Sequence, residues 1–175
     1  NYYSITSSFR GLFLDDLGLQ EGNKEFIFSV KFLEPNNVTY AQASQYLSAA
    51  NAPGGALLPF INFANEFEFT DGTPFSESNP LYDAPNVYKN RDPRMSKTMF
   101  TESVTFENGY LYKLLLPKSP TGYTYYKHIQ GSDAKSIYDK HGGSDWPAMR
   151  YAEVLLMNAE AANEVDGPVA LVYSA

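Results

Sequence analysis

Apolar residues along this chain change their spacing several times, and each spacing predicts a different element. Phe9, Leu12, Phe13 and Leu17 recur at helical intervals, which predicts a helix within residues 2–17 ended by Gly18 or Gly22. Over residues 25–33 the period drops to two. Phe26, Phe28, Val30 and Phe32 alternate with Ile27, Ser29 and Lys31, the pattern of a strand with one aromatic face. Pro35, Asn36 and Asn37 break that strand. Residues 36–62 are irregular, apart from a short helix at 40–50 and a turn at Pro53, Gly54 and Gly55. Residues 63–69 form a short helix or strand, closed by Asp71 and Gly72.

A Pro-, Asn- and Tyr-rich loop follows over residues 79–86. Residues 95–106 and 110–116 are expected to pair as strands around Glu107, Asn108 and Gly109, because Asn-Gly tolerates the positive φ of a tight hairpin. Thr121 and Gly122 mark another turn, residues 123–129 a further strand, and 131–144 a polar loop. The last segment is helical in pattern. Asp145 is placed to cap the helix, with Pro147 in its first turn. Ala152, Leu155, Leu156, Ala159 and Ala162 form the stripe expected to be buried. Gly167 and Pro168 stop the helix, and residues 169–175 open a second one.

Composition narrows the function. The chain has 175 residues, 43% hydrophobic and 19% charged, enough for one globular domain with a core. No apolar run is long enough to cross a bilayer. A cysteine count of 0 excludes disulfides, thiolate metal sites and cysteine nucleophiles. The net charge of -7 argues against nucleic acid and against anionic lipid surfaces. It does not oppose neutral sugars. Tyrosine, at 14 residues, is the most frequent aromatic, and its ring with a hydroxyl suits wet interfaces.

Catalytic chemistry has little footing here. His128 and His141 stand outside any zinc-binding spacing, and no nucleophile elbow or glycine-rich phosphate loop is present. Asp15, Asp16, Glu66, Glu68, Asp71, Asp83 and Glu107 supply the carboxylates a glycoside hydrolase needs, without a spacing that selects any pair. Asp71 or Asp83 could serve calcium, but no EF-hand pattern accompanies them. Glu153 and Glu160 share a helix face and are expected to pair with groups of neighbouring helices.

Two motifs, in order, carry a family resemblance. Arg150-Tyr151-Ala152-Glu153-Val154-Leu155-Leu156-Met157-Asn158-Ala159-Glu160-Ala161, with Asn90-Arg91-Asp92-Pro93-Arg94 upstream, resembles the C-terminal half of the SusD/RagB family. Lys24-Glu25-Phe26-Ile27-Phe28-Ser29-Val30, Asp71-Gly72-Thr73-Pro74-Phe75 and Gly122-Tyr123-Thr124-Tyr125-Tyr126-Lys127 are similar to further segments of that family. The resemblance implies a mixed α and β fold. Residues 1–175 would form one partial SusD-like domain, with small antiparallel strands and long ordered loops, and residues 145–175 would begin a truncated tetratricopeptide-like helical hairpin. It implies a fragment of a longer protein, whose lipoprotein signal would lie upstream.

The function implied is non-catalytic glycan binding at the outer-membrane surface of Bacteroidetes, with delivery to a SusC-like TonB-dependent transporter and no cofactor. Peptide capture, a structural module docking on the transporter, and glycoside hydrolysis are the alternatives. Structural roles are expected for Arg91, Asp92, Pro93, Arg94, Arg150, Glu153 and Glu160. Sugars stack their C–H faces on rings and give their hydroxyls to amides. Tyr40, Tyr46, Tyr82 and Tyr88, with Asn36 and Asn62, lie on irregular segments and are therefore the candidate ligand contacts. Trp146, beside Pro147, is assigned to packing.

Overall fold

The computed structural model of the chain describes residues 2–14, 20–32, 58–106, 109, 111–112, 121–129, 144–170 and 172–174. The helix expected at residues 40–50 and His141 lie outside them. A 3-10 turn at Arg10–Phe13 comes first, then strand β1 (Phe26–Val30) and helices α1 (Ile61–Asn65) and α2 (Pro93–Thr98). Strands β2 (Val104–Thr105), β3 (Leu111–Tyr112) and β4 (Trp146–Arg150) follow, then helix α3 (Tyr151–Asp166) and a 3-10 turn at Val172–Ser174. The strands form two antiparallel pairs, β1 with β4 and β2 with β3. This is a mixed α and β architecture with few helices and a small antiparallel sheet.

Strand β1 stands where its alternation places it, but its exposed face is not the polar one. Phe28 is 57% exposed while Glu25, just before the strand, is buried. Alternation fixes which residues share a face; the neighbouring elements decide which face is covered. The helix expected over residues 2–17 reduces to the 3-10 turn at Arg10–Phe13 in the described part. The reason lies in the donors before it. Ser4 N–H goes to the Lys24 carbonyl at 3.2 Å and Thr6 N–H to the Glu25 carboxylate at 2.8 Å, so these amides serve a distant segment instead of a helix.

Residues 146–150 also depart from expectation. They form β4, with Ser29 opposite Pro147 and Val30 opposite Trp146, and the helix starts only at Tyr151 after an extended Arg150. Asp145 caps nothing. Its carboxylate holds Lys31 and the Phe32 amide, and its own amide donates to Gln20 Oε1 at 2.8 Å. Pairing with β1 outweighs the local cap-and-proline signal. Along α3, Ala152, Leu155, Ala159 and Ala162 are half-buried, but Leu156 is 69% exposed. Gly167 ends the helix at φ 73°. Beyond it the described residues make a 3-10 turn where a second helix was expected.

The expected long hairpin is shorter, because Asp92 and Pro93 start a helix that claims Met95 to Thr98. The Asp92 carboxylate accepts from Arg94 N–H at 2.8 Å, and Pro93 occupies the first turn, where its missing N–H is not needed. The remaining hairpin pairs Val104 with Tyr112 and Thr105 with Leu111, and Gly109 turns at φ 80°. Residues 123–129 are not a strand. One bridge, Met99 to Tyr125, joins them to the end of α2, and Ile129 N–H then turns back to the Tyr126 carbonyl.

Two parts of the core lie among the described residues. Ala64, Met95 and Met99 pack with Phe67, Tyr88 and Tyr123. Phe100, Phe106 and Tyr126 form a ring cluster beside buried Leu12, Phe13 and Ile129. Each part is tied by one arginine. Arg10 lies over the Tyr126 ring at 3.6 Å and donates to the carbonyls of Tyr126 and Ile129 at 3.0 and 2.8 Å. Arg91 lies over Phe75 at 4.3 Å and donates to the carbonyls of Phe67, Ala64 and Val87. The planar guanidinium fork suits this use, since it satisfies several buried carbonyls from one centre.

Candidate functional site

The Asn90 to Arg94 motif builds one wall of a groove. Asn90 adopts φ 59°, and its side-chain amide donates to the Leu81 carbonyl at 2.8 Å. That turn aims Arg91 inward and Asp92 outward. Arg94 then folds back on Asp92, with Nε at 3.0 Å from both carboxylate oxygens. The pairing with Arg94 holds the Asp92 carboxyl below its ordinary range. Arg94 stays exposed, Asp92 is half-buried beneath it, and both line a cavity of about 500 Å³.

Helix α1 supplies the opposite wall. Its backbone sets Phe63 edge-on to Phe67, with ring centres 5.5 Å apart, and Phe63 also approaches Tyr125 at 6.4 Å. Phe9 completes an apolar lining, while Glu66, Glu68, Thr98 and Lys127 supply polar groups. Lys127 Nζ sits over the Phe13 ring, 4.0 Å from its centre, and over the Phe9 ring at 5.4 Å. Burial, with the nearby Arg150 charge, lowers its pKa to about 8. Rings interleaved with mixed polar groups suit a ligand that offers C–H faces and hydroxyls together.

The candidate residues fall into different places. Asn62 is exposed on α1, next to Phe63. Tyr82 is half-buried with its ring edge-on to Phe75 at 5.9 Å, away from the groove lining. Tyr88 packs against the Ala64–Met95–Met99 cluster, donates to the Gly122 carbonyl at 3.4 Å, and has its phenol pushed up by burial. Tyr40, Tyr46 and Asn36 lie outside the described residues. Arg150 donates to Glu25 at 2.8 Å, and Glu153 and Glu160 are exposed on α3. Trp146 is on β4 and not in a helix; its ring stacks on His128 at 5.0 Å with a 13° tilt while 41% of the residue stays exposed.

Phe9, Phe63, Phe67 and Lys127 were not among the sequence candidates. Aromatic residues with regular spacing are ordinarily core, and that rule set them aside. One signal was there to use: Phe63, Glu66 and Phe67 stand at i, i+3 and i+4, the spacing of one helical face, and a buried face does not carry that mixture. Among the described residues no group of three His, Cys, Asp or Glu side chains could hold a metal ion, and no helix is long and apolar enough to cross a membrane.

Similarity to known proteins extends over most of the chain. The model of the SusD family matches residues 24–175. A search of curated proteins finds no match. Among solved structures, a SusD-like carbohydrate-binding protein from Bacteroides fragilis is similar, with TM-score 0.76 and 29% identity, over 97% of this chain and 35% of its own. A second SusD-like protein from Bacteroides fragilis aligns with TM-score 0.65 and 23% identity over 95% of this chain and 38% of its own. A SusD superfamily protein from Parabacteroides distasonis aligns with TM-score 0.58 and 20% identity, over 99% and 34%. The last two share the fold. The chain thus spans about a third of the length of the solved structures it matches. With the family model covering both the Asn90–Arg94 turn and the Arg150–Ala161 helix, the chain belongs to the SusD family.

Proposed function

We propose that this chain serves in non-catalytic glycan capture at the bacterial cell surface, with the groove between Phe63, Phe67 and Phe9 as a ligand contact. The observation that carries the reading is that groove, in a chain whose likeness to a SusD-like carbohydrate-binding protein reaches TM-score 0.76. The rings offer stacking faces, and Glu66, Glu68, Thr98 and Arg94 accept from or donate to hydroxyls. Asn62 adds an amide beside Phe63, while Tyr82, away from the groove, would meet a ligand only on its own loop. Tyr40, Tyr46 and Asn36, outside the described residues, stay proposed ligand contacts, and Tyr88 supports the site from the core. A shallow site of this kind binds in the μM to mM range, about −4 to −8 kcal/mol.

In the whole protein, the captured glycan would pass to a SusC-like TonB-dependent transporter, with a lipid anchor holding the binding protein to the outer membrane. Peptide capture is the second reading. It is favoured by the presence of both charge signs on the groove, Glu66 and Glu68 against Lys127 and Arg94. Retardation of the chain in gels that contain single polysaccharides tests the first reading. Retardation by at least one polysaccharide, weakened by Phe63→Ala, supports it. Migration unchanged across the panel, with binding of mixed-charge oligopeptides instead, selects the second.

A further inference from the structure

A second pocket, of about 540 Å³, shares no described lining residue with the Phe63 groove. It forms where the segment from Tyr2 to Thr6 lies along the turn before β1. Two hydrogen bonds fix that arrangement, Ser4 N–H to the Lys24 carbonyl at 3.2 Å and Thr6 N–H to the Glu25 carboxylate at 2.8 Å. Tyr3 stacks on Tyr151 at the start of α3, with ring centres 6.0 Å apart and a 23° tilt. Tyr2 meets Tyr3 edge-on at 4.9 Å yet remains 83% exposed. The result is a supported ring with a broad face toward water. An aromatic so exposed adds nothing to the core, and two rings behind it hold it in place.

The polar lining differs in sign from the rest of the protein. Lys24 and Lys31 line the pocket, with Asn23 and Ser29, and no carboxylate residue is among its described lining residues. Lys31 is held by Glu21 and Asp145. Neither the Lys24 ammonium nor the Ser29 hydroxyl has a hydrogen bond or ion pair among the described residues. On a chain of net charge -7, an anion is repelled by most of the surface and admitted where a lysine is unpaired. A ring face, a free ammonium and a hydroxyl in one pocket match a sugar that bears an acid group.

We propose that this pocket is a second saccharide site, selective for uronic acid units, in which Tyr2 stacks on the sugar ring and Lys24 pairs with its carboxylate. The selectivity is modest, because both groups stand in water, where an ion pair contributes about 1 kcal/mol or less. The pocket holds one or two sugar units and acts independently of the Phe63 groove.

Calorimetric titration of the full 175-residue chain with tetragalacturonate, against an uncharged tetrasaccharide, tests the proposal. The expected result is binding of the acidic sugar. Lys24→Gln would weaken it about fivefold, the equivalent of an exposed ion pair. Tyr2→Ala would weaken it about tenfold, in the range of a contact that matters. Neither should lower the melting temperature, and Phe63→Ala should leave uronate binding unchanged. Equal affinity for the uncharged sugar, lost with Tyr2→Ala and kept with Phe63→Ala, overturns the proposal. So does indifference to both substitutions, or loss with Phe63→Ala in place of Tyr2→Ala. Displacement by an equal concentration of sulfate also overturns it, since that marks an anion site with no preference for sugar.

Discussion

Arg150 Nη1 donates to Glu25 Oε1 at 2.8 Å, joining two segments 125 residues apart in sequence. Glu25 is 2% exposed in its side chain, and its other oxygen accepts from the Thr6 amide. The contact closes the end of the β1–β4 pair, where the Tyr151 amide also donates to the Glu25 carbonyl at 2.8 Å. Arg150→Met removes the partner and leaves a buried carboxylate. It should cost about 3 kcal/mol in urea unfolding, and Glu25→Gln in the same chain should restore part of the loss.

Arg91 should be less tolerant still. Its fork serves the carbonyls of Phe67, Ala64 and Val87 and lies over the Phe75 ring. Arg91→Lys keeps the charge but serves fewer carbonyls and loses the planar contact. We expect a loss of about 2–3 kcal/mol and a lower melting temperature, although the net charge is unchanged.

His128 makes stability depend on mild acid. Burial, with the Lys127 and Arg10 charges, lowers its pKa from 6.5 to about 4. Between those values the unfolded chain binds a proton that the folded chain refuses, so stability falls as pH drops from 6.5 toward 4. His128→Phe should flatten that part of the profile. Trp146, the single tryptophan, is stacked on this imidazole and reports it directly. Indole emission should fall with a midpoint near pH 4 as the ring becomes charged.

Lys127 acts at the other end of the scale. Its pKa is lowered to about 8, first by burial and then by Arg150, so the unfolded chain binds the extra proton between about 8 and 10.5. Stability contributed by this group therefore rises with pH across that window. The difference in unfolding free energy between the native chain and Lys127→Met should change across that window in the same sense, which separates this lysine from the tyrosines and other lysines that titrate nearby.

Phe63 is 41% exposed, so its truncation probes binding more than folding. Phe63→Ala should weaken retention on a binding polysaccharide about tenfold, or ~1.4 kcal/mol, with a small change in melting temperature. Tyr88→Ala should do the reverse, because that ring packs on Ala64, Met95 and Met99. Loss of retention by a well-folded Tyr88→Ala would return the site to the loop.

The family was legible because its signature resides in contiguous segments. Local chemistry was legible as well: the β1 alternation, and the turns at Gly72, Gly109 and Gly122, which adopt φ near 80°. What could not be read was decided by distant partners. Trp146 and Pro147 carry every local sign of a helix start, yet β1 captures their backbone. Leu156 lies on a regular helical stripe and is still exposed, since periodicity aligns residues without supplying what covers them. The groove was missed for the same reason. Phe9, Phe63 and Lys127 meet only after folding, and no spacing in the sequence records that meeting.

Arg10 and Arg91 have a consequence for variation. Arg10 ties the start of the chain to the Tyr126–Ile129 turn, Arg91 ties Ala64 and Phe67 to Val87, and together they do work that a wide sheet would do elsewhere. A ladder transmits any change in length as a slip of register along its whole edge. A knot at one point does not. Residues between Phe75 and Val87 begin and end at the same guanidinium, so that loop can lengthen at a closure cost of about 0.6 kcal/mol per doubling and leave the knot intact. The chain is therefore built to change what it touches while keeping its frame.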